Sequence, residues 1–356
     1  TTRLDQVGNS DGALSNRNMV INGAMQVAQR GTSATTFAYG TVDRFRPSEG
    51  STSSLAITQT QDTNAPSGFS NSLKITVNTA ETMSGSKQLA VFHAMEAQNL
   101  QQLGYGTSDA QSITVSFWVK SSVTGAYCLS LYENDDNRNI GATYTINSAN
   151  TWEYKTITFP PDTVGVIDSN NGAGLETYFF LSVGPDRKTA DNTSWATWSA
   201  ARFGYGQVAD VAGTTNATWQ ITGLQLEVGD TATPFEHISY GDQLQKCQRY
   251  YQRYGGTDNY FMLVGNAAGA SLAYAFTTLQ TRMRAAPTFS TTGTMSDYRY
   301  QSKSGDVTPN ALSLDQAMED CVAVAVTTAS NALTAGHAVR LFNVTNAGYF
   351  AFDAEL

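Results

Sequence analysis

The sequence predicts an all-β protein, with an antiparallel β-sandwich, then a short helix, and then a second, smaller β-domain. Three observations support this order. Runs with an apolar residue at every second position recur between residues 55 and 228, which is the period of half-buried strands. A period of three to four residues appears once, after Asp242, and alternation then returns. A chain of 356 residues also exceeds what one hydrophobic core usually serves.

Residues 1–15 are rich in Gly, Ser, Asp and Asn and predict an N-terminal arm. Two interpretations of this arm stay open, a contact with a neighbouring protein and disorder. The first domain is predicted to cover residues 16–238 with eight or so strands separated by polar turns. Residues 113–120 alternate most clearly, with Phe117 pointing inward and Trp118 outward. The long spacings and the polar outer face favour a jelly roll.

The last strand of this domain has an inward set of Ile221, Leu224, Leu226 and Val228. The step from Ile221 to Leu224 breaks strict alternation, and Gly223 lies in the gap. A glycine at such a break predicts a β-bulge.

The segment 239–256 is predicted to be a linker with a short helix. Its apolar residues fall at steps of three, four and three, which is one seam of a helix. The seam consists of Leu244, Cys247, Tyr251 and Tyr254. We expect it to form an oligomer interface, with burial against the chain's own second domain as the alternative. Residues 257–356 are predicted to form the second β-domain, since strand-like runs and Gly-containing turns alternate there.

Composition excludes several classes of function. The net charge is −9 with no cluster of Lys and Arg, so nucleic-acid binding is not expected. No apolar run approaches the 18 residues of a membrane span. Three distant cysteines, Cys128, Cys247 and Cys321, do not suggest a disulfide framework, and assembly in a reducing cytoplasm is the simpler expectation.

No catalytic constellation is recognisable, so the protein is not expected to be an enzyme. The three histidines have neither metal-ligand spacing nor cysteine partners. Glu133, Asp135 and Asp136 are the candidates for a glycosidase carboxylate pair. A solvated turn between two strands is the favoured interpretation of that cluster.

Sugar binding does not require a catalytic constellation. It requires flat aromatic rings that stack on pyranose faces and polar side chains that bond the hydroxyl groups. Candidate residues are aromatics at outward positions of strands or in a nearby loop: Trp118, Tyr132, Tyr154, Tyr178, Trp195 and Trp198. For any one of these residues, coverage by the second domain, by an arm or by a neighbouring subunit is favoured over a role in glycan binding.

No cofactor is expected, although Asp43 and Glu227 are candidate ligands for a structural Ca²⁺. An ion pair between Asp43 and a nearby arginine (Arg30, Arg44 or Arg46) is the preferred interpretation.

Three sequence runs carry a resemblance to a known family. They are NRNMVINGAMQVAQRGTS at 16–33, followed by DRF at 43–45; ITVSFWVKSS at 113–122; and TGLQLEVGDTATPFEHISYGDQLQKCQRYYQRY at 222–254. In order and spacing they resemble bacteriophage tail-fibre and related virion structural proteins, whose N-terminal unit looks like a carbohydrate-binding module. The resemblance covers most of residues 16–254.

The resemblance implies a homotrimeric virion appendage that attaches to a glycan or protein of the host surface. It also implies contacts with other virion proteins through the N-terminal arm, and no membrane insertion. A capsid-decorating fibre and, less favoured, a polysaccharide depolymerase are the alternatives. The regular short-strand ladder of the usual depolymerase β-helix is missing from the sequence.

Overall fold

The computed structural model describes residues 16–256, 261–303, 305–329 and 332–356. The predicted arm, 1–15, lies outside the described residues. The chain divides into two compact units after Gln243, and the last residue, Leu356, groups with the first unit. This division falls within the predicted linker and helix at 239–256. No helix in the described ranges is long and apolar enough to cross a membrane.

The described part of the first unit contains twelve strands. They are β1 (Ser33–Ala34), β2 (Arg46–Gly50), β3 (Ala56–Asp62), β4 (Ser72–Thr79), β5 (Gln88–Glu96), β6 (Ile113–Ser121), β7 (Gly125–Glu133), β8 (Arg138–Ile146), β9 (Glu153–Phe159), β10 (Ala173–Val183), β11 (Ala196–Thr197) and β12 (Thr218–Val228). Short 3₁₀ turns occur at Ala97–Asn99, Gln101–Leu103, Pro185–Arg187 and Ala200–Arg202.

These strands form two antiparallel sheets around one core. The first sheet has the order β1-β3-β4-β12-β6-β9, and the second has the order β11-β8-β7-β10-β5-β2. Alternate residues of both sheets enter a shared hydrophobic cluster that includes Phe117, Leu129, Phe179 and Trp219. The predicted antiparallel sandwich of jelly-roll type is therefore confirmed.

The bulge predicted at Gly223 is present in β12. The pairing of β12 with β6 shifts register between Thr222 and Gln225. Gly223 has φ +61°, a left-handed conformation that favours glycine. Ile221, Leu224 and Leu226 are fully buried, as the interrupted alternation predicts.

Two of the sequence runs behind the family resemblance meet beside this bulge. The Asn18 side chain donates to the carbonyl of Leu224 (3.0 Å) and accepts from the N–H of Leu226 (3.1 Å). Glu236, in the segment after β12, accepts from the N–H groups of Asn16 (2.6 Å) and Asn18 (3.0 Å). These hydrogen bonds hold the N-terminal run against β12 of the first sheet, so the two runs stabilise the sandwich.

The described part of the second unit is also built from strands. They are β13 (Tyr251–Gly255), β14 (Phe261–Ala267), β15 (Leu272–Thr278), β16 (Thr288–Thr291), β17 (Tyr298–Ser302), β18 (Gly305–Val307), β19 (Ala311–Ala317), β20 (Cys321–Thr327), β21 (Ala338–Asn343) and β22 (Tyr349–Asp353). A 3₁₀ turn covers Met295–Asp297, and helix α1 (Tyr240–Gln248) precedes the strands.

A seven-stranded sheet, β18-β17-β21-β14-β15-β20-β19, and a three-stranded sheet, β13-β22-β16, make up this unit. Their inward side chains share a second core, with Tyr298, Leu341, Phe350 and Phe352 among its members. The prediction of a short helix followed by a smaller β-domain is thus confirmed.

The predicted helical seam is wrong for two of its four residues. Helix α1 ends at Gln248, and Tyr251 and Tyr254 lie on β13. This strand pairs with β22, where Tyr254 is opposite Phe350. Pairing with a strand about a hundred residues later overrides the local period, which is a common effect of tertiary context. Cys247, Tyr251 and Tyr254 are buried within the chain, and Leu244 is partly exposed, so the seam is not a free surface.

Candidate functional site

The structure distributes the six aromatic candidates over three places. Trp118 on β6 and Tyr154 on β9 lie on the outer face of the first sheet, directly opposite each other. Tyr132 on β7 and Tyr178 on β10 lie on the outer face of the second sheet, with Trp198 packed beside them. Trp195 is separate from both groups. Within the part of the chain that the structure describes, the rings of Trp118 and Tyr154 contact each other and no further ring, whereas Tyr132, Tyr178 and Trp198 all contact the ring of Phe203.

Trp118 and Tyr154 form the centre of what we call the aromatic platform. Their ring centroids are 5.4 Å apart at an interplanar angle of 51°. Trp118 is partly exposed, and Tyr154 has 45% of its surface exposed. Lys120 on β6 and Trp152, just before β9, extend the platform, with the Lys120 ammonium 5.0 Å from the Trp152 ring. The platform is therefore a row of rings that ends in a cation.

Polar groups surround the platform. Asn64 Oδ1 accepts hydrogen bonds from Lys120 Nζ (2.5 Å) and from the Trp152 indole N–H (3.0 Å). Further along the same face, the hydroxyl groups of Thr114 and Thr158 are 2.9 Å apart. Partial desolvation is the largest influence on the pKa of Lys120 and lowers it. Thr114 is buried and Thr158 is exposed, so the open part of this face carries rings, one hydroxyl, an amide and an ammonium.

Sequence reasoning missed Trp152 as part of this group. It lies just before β9 and two residues before Tyr154, so it has the same outward phase. The two-residue alternation of β9, continued from Tyr154 one step toward the N-terminus, identifies Trp152 as an outward residue.

The aromatics of the second sheet pack against each other. Phe203, which follows the Ala200–Arg202 turn, is buried and lies 4.7 Å from the ring of Tyr178 and 6.3 Å from that of Tyr132. Trp198 contacts the same Phe203 ring at 6.0 Å. Tyr178 is also 5.2 Å from Phe92. Because these rings cover one another, this cluster is chiefly a small second core over the outer face of the sheet.

The segment that carries Phe203 is fastened to this face by polar contacts. The Ser130 hydroxyl donates to the carbonyl of Phe203 (2.6 Å). Asn192 Oδ1 accepts from the Asn139 side chain (2.9 Å) and from Arg202 Nε (3.1 Å). These buried bonds hold the segment against β7 and β8.

Trp195 has a local role in packing. Its indole N–H donates to the carbonyl of Pro160 (2.8 Å), and its ring meets that of Tyr105 edge to face at 5.6 Å. It therefore does not join either aromatic group.

The acidic turn between β7 and β8 is occupied by backbone contacts. Asp135 accepts from the N–H of Asp168 (2.9 Å), and Asp136 accepts from the N–H of Val166 (2.8 Å). Glu133 is buried and accepts from the N–H of Asp136 (3.0 Å). Burial, the largest influence, raises the pKa of Glu133 from 4.5 to about 7. Asp135 and Asp136 thus position the loop between β9 and β10, and Glu133 is an acid held inside the fold.

The raised pKa of Glu133 predicts a specific dependence of stability on pH. Between about pH 4.5 and 7 the folded protein keeps a proton that the unfolded chain releases. The free energy of unfolding therefore falls as the pH rises through this window and levels off above it. In Glu133→Gln this fall in the free energy of unfolding with rising pH is absent. Urea denaturation should find the variant more stable relative to the parent at pH 8 than at pH 5, by roughly 1–3 kcal/mol.

Asp109→Asn, a change at an exposed acid, serves as the control for this measurement. A Glu133→Gln variant whose stability differs from that of the parent by the same amount at both pH values would contradict the prediction.

The two candidate Ca²⁺ ligands bond within the chain. Asp43 accepts from the backbone N–H of Gln29 (3.0 Å) and lies 3.9 Å from Arg30 Nη1. Glu227 accepts from the N–H and the hydroxyl of Thr233 (2.9 and 2.6 Å). No group of three His, Cys, Asp or Glu suited to a metal ion occurs in the ranges that the structure describes.

Comparisons with known proteins find distant structural likeness. No protein-family model and no curated protein matches the sequence. The enzymatically active domain of tailspike protein 4 from bacteriophage CBA120 matches with a TM-score of 0.34 and 12% identity, over 59% of this chain and 21% of that one. The match thus spans about a fifth of the tailspike domain.

Two sugar-binding proteins show a similar degree of likeness. The family 11 carbohydrate-binding module of a Clostridium thermocellum cellulase has a TM-score of 0.29 and 11% identity, over 56% of this chain and 96% of that module. A putative sugar binding protein from Bacteroides thetaiotaomicron has a TM-score of 0.33 and 10% identity, over 60% and 100%.

Proposed function

We propose that this chain is an attachment protein of a bacteriophage virion, a tail fibre or related appendage, and that its first unit binds a glycan of the host surface. The observation that carries the glycan part is the pair of Trp118 and Tyr154, which is partly open to solvent on a polar sheet face.

The platform matches the chemistry of a sugar. A pyranose ring presents apolar C–H faces and polar edges, so it packs on an aromatic surface while its hydroxyls find donors and acceptors beside the ring. The Trp118 and Tyr154 rings supply the surface. Asn64, Lys120 and the exposed Thr158 hydroxyl supply the polar partners. The site stands on two paired strands, which hold the rings in fixed positions.

The virion part of the proposal is supported by the resemblance of the three sequence runs. A weakly charged, polar surface suits an exposed virion protein, and charged residues are 14% of the chain against about 25% in average proteins. No disulfide joins the three cysteines in the described part of the chain, which is compatible with assembly in the host cytoplasm. A capsid-decorating fibre is the alternative location, and the three-fold assembly implied by the resemblance stays a prediction.

Binding without cleavage is the expected mode of action. The carboxylates of Asp135 and Asp136 are engaged by backbone N–H groups of the loop between β9 and β10. The platform itself offers rings, an amide, the Thr158 hydroxyl and an ammonium.

The proposal is tested by isothermal titration of the full chain with a panel of purified bacterial capsular polysaccharides and O-antigens. We expect at least one polysaccharide to bind and to keep its chain length after prolonged incubation. Absence of binding across the panel would count against the glycan function. If incubation releases new reducing ends, and Asp135→Asn or Asp136→Asn abolishes this release, the protein is a depolymerase and the proposal of binding without cleavage is wrong.

A further inference from the structure

The end of the platform at Lys120 is positively charged. One cross-strand row of the first sheet places Lys74 on β4 and Lys120 on β6 on either side of Gln220 on β12. Lys74 is paired with Asp62 at 3.2 Å. Lys120 forms no ion pair within the described part of the chain. Two lysines and one carboxylate therefore leave one positive charge in this region, on a chain whose net charge is −9.

The polar groups that this end of the platform still offers to a ligand are hydrogen-bond donors. Asn64 Oδ1 has two lone pairs, and Lys120 Nζ (2.5 Å) and the Trp152 indole N–H (3.0 Å) occupy both. Asp62 is engaged by Lys74 and by the backbone N–H of Asn64 (2.7 Å). An ammonium has three N–H donors, and one of those of Lys120 is in use. The Asn64 Nδ2 group makes no hydrogen bond within the described residues, so its two donors are also available.

These two groups, Lys120 Nζ and Asn64 Nδ2, are named the donor pair, and they lie within reach of a ligand on the rings. Asn64 is exposed and Lys120 is partly exposed. Lys120 follows Trp118 by two residues on β6, which is roughly 7 Å along a strand. A sugar that stacks on Trp118 and Tyr154 can therefore bring an acceptor group, on itself or on its neighbour in the glycan, to the donor pair.

We infer that the platform selects an acidic polysaccharide and that the donor pair binds the carboxylate of a uronic acid. This inference rests on the proposed glycan binding by the platform. An ionised carboxylate is an acceptor only, which complements a group of donors. A hydrogen bond between an ammonium and a carboxylate is about twice as strong as one between neutral groups. A neutral hydroxyl accepts from the same N–H groups without this gain.

The charge of the whole chain makes the local cation decisive. A protein with a net charge of −9 repels a polyanion over most of its surface. Binding of an acidic polysaccharide therefore depends on a local positive site, and Lys120 supplies that charge beside the rings.

The inference is tested by isothermal titration of the full chain with capsular polysaccharides that contain glucuronic acid. Each is also used after carbodiimide and borohydride treatment, which reduces the glucuronic acid to glucose. We expect at least one native polysaccharide to bind, and its reduced form to bind more weakly by roughly tenfold or more, the worth of a hydrogen bond to a charged group.

Lys120→Met removes the ammonium and keeps most of the apolar stem. It should weaken binding of the native polysaccharide by a similar factor, and it should bind the native and reduced forms alike, because both changes remove the same contact. Lys303→Met, at an exposed lysine of the second unit, changes the net charge equally and should keep the preference of the parent.

Circular dichroism and the melting temperature establish that each variant is folded. A reduced polysaccharide that binds as tightly as its native form, or a Lys120→Met protein that still prefers the native form, would overturn the inference. Binding of neutral polysaccharides alone, lost in Trp118→Ala and Tyr154→Ala, would overturn the selection of acidic sugars and leave the proposed glycan function standing. Absence of binding to acidic and neutral polysaccharides alike would overturn both.

Discussion

Truncation of Phe117 to alanine is expected to lower the free energy of unfolding of the first unit by about 3–5 kcal/mol, the usual cost of removing a buried aromatic ring. Phe117 is fully buried between the two sheets. Its ring meets those of Tyr144 and Phe179 edge to face, at 5.1 and 5.0 Å. The lost ring therefore leaves a cavity at a junction of both sheets, where the surrounding backbone is fixed by strand pairing.

Differential scanning calorimetry of the full chain measures this effect. For a unit of this size, the loss corresponds to a fall of roughly 10 °C in the melting temperature of the first unit. Val208→Ala, at an exposed apolar residue of the same unit, is the control and should melt with the parent. A Phe117→Ala protein that melts within about 2 °C of the parent would show that the core is not organised around this ring.

Substitution of Gly23 by alanine is expected to have a second large effect. The carbonyl of Gly23 accepts from the N–H of Leu224 (2.9 Å), beside the bulge of β12. An added Cβ would lie 2.0 Å from the carbonyl oxygen of Leu224, so the N-terminal segment and β12 must separate. We expect a loss of about 3 kcal/mol or more, since both partners are backbone and have little freedom to yield.

Gly241→Ala is the matched control, because a Cβ there has only the Ser239 hydroxyl oxygen nearby, at 3.9 Å. Urea unfolding monitored by tryptophan fluorescence compares the two variants. Equal midpoints for Gly23→Ala and the parent would contradict the close approach of the two segments.

Local patterns predicted the parts of the fold that depend on local chemistry. The bulge at Gly223 follows from one break in alternation and a glycine in the gap, and both are visible in five residues. The seam from Leu244 to Tyr254 shows the limit of this reasoning. A period of three to four residues continued past Gln248 by coincidence, while β22, the strand that captures Tyr251 and Tyr254, lies about a hundred residues later.

For the candidate site too, local patterns predicted some features and could not predict others. The period of two places Trp118 and Tyr178 at outward positions, but it does not tell which sheet each strand joins. Strand order separates them, with β6 in one sheet and β10 in the other. The segment that brings Phe203 over Tyr178 is irregular and has no period to read. The six aromatic candidates therefore lie in three places in the structure: two form the platform, three belong to a small core on the second sheet, and Trp195 lies apart from both groups.

If a glycan binds the platform on the first sheet, its affinity depends on the rings of Trp118 and Tyr154. The affinity of one bound polysaccharide from the panel is therefore measured for Trp118→Ala, Tyr154→Ala and, as matched aromatic truncations on the second sheet, Tyr132→Ala and Trp198→Ala. We expect the two platform variants to weaken binding by roughly tenfold each, the worth of a lost stacking contact. The two second-sheet variants should bind like the parent. Parent-like binding by Trp118→Ala and Tyr154→Ala, with loss of binding in Tyr132→Ala or Trp198→Ala, would contradict the account.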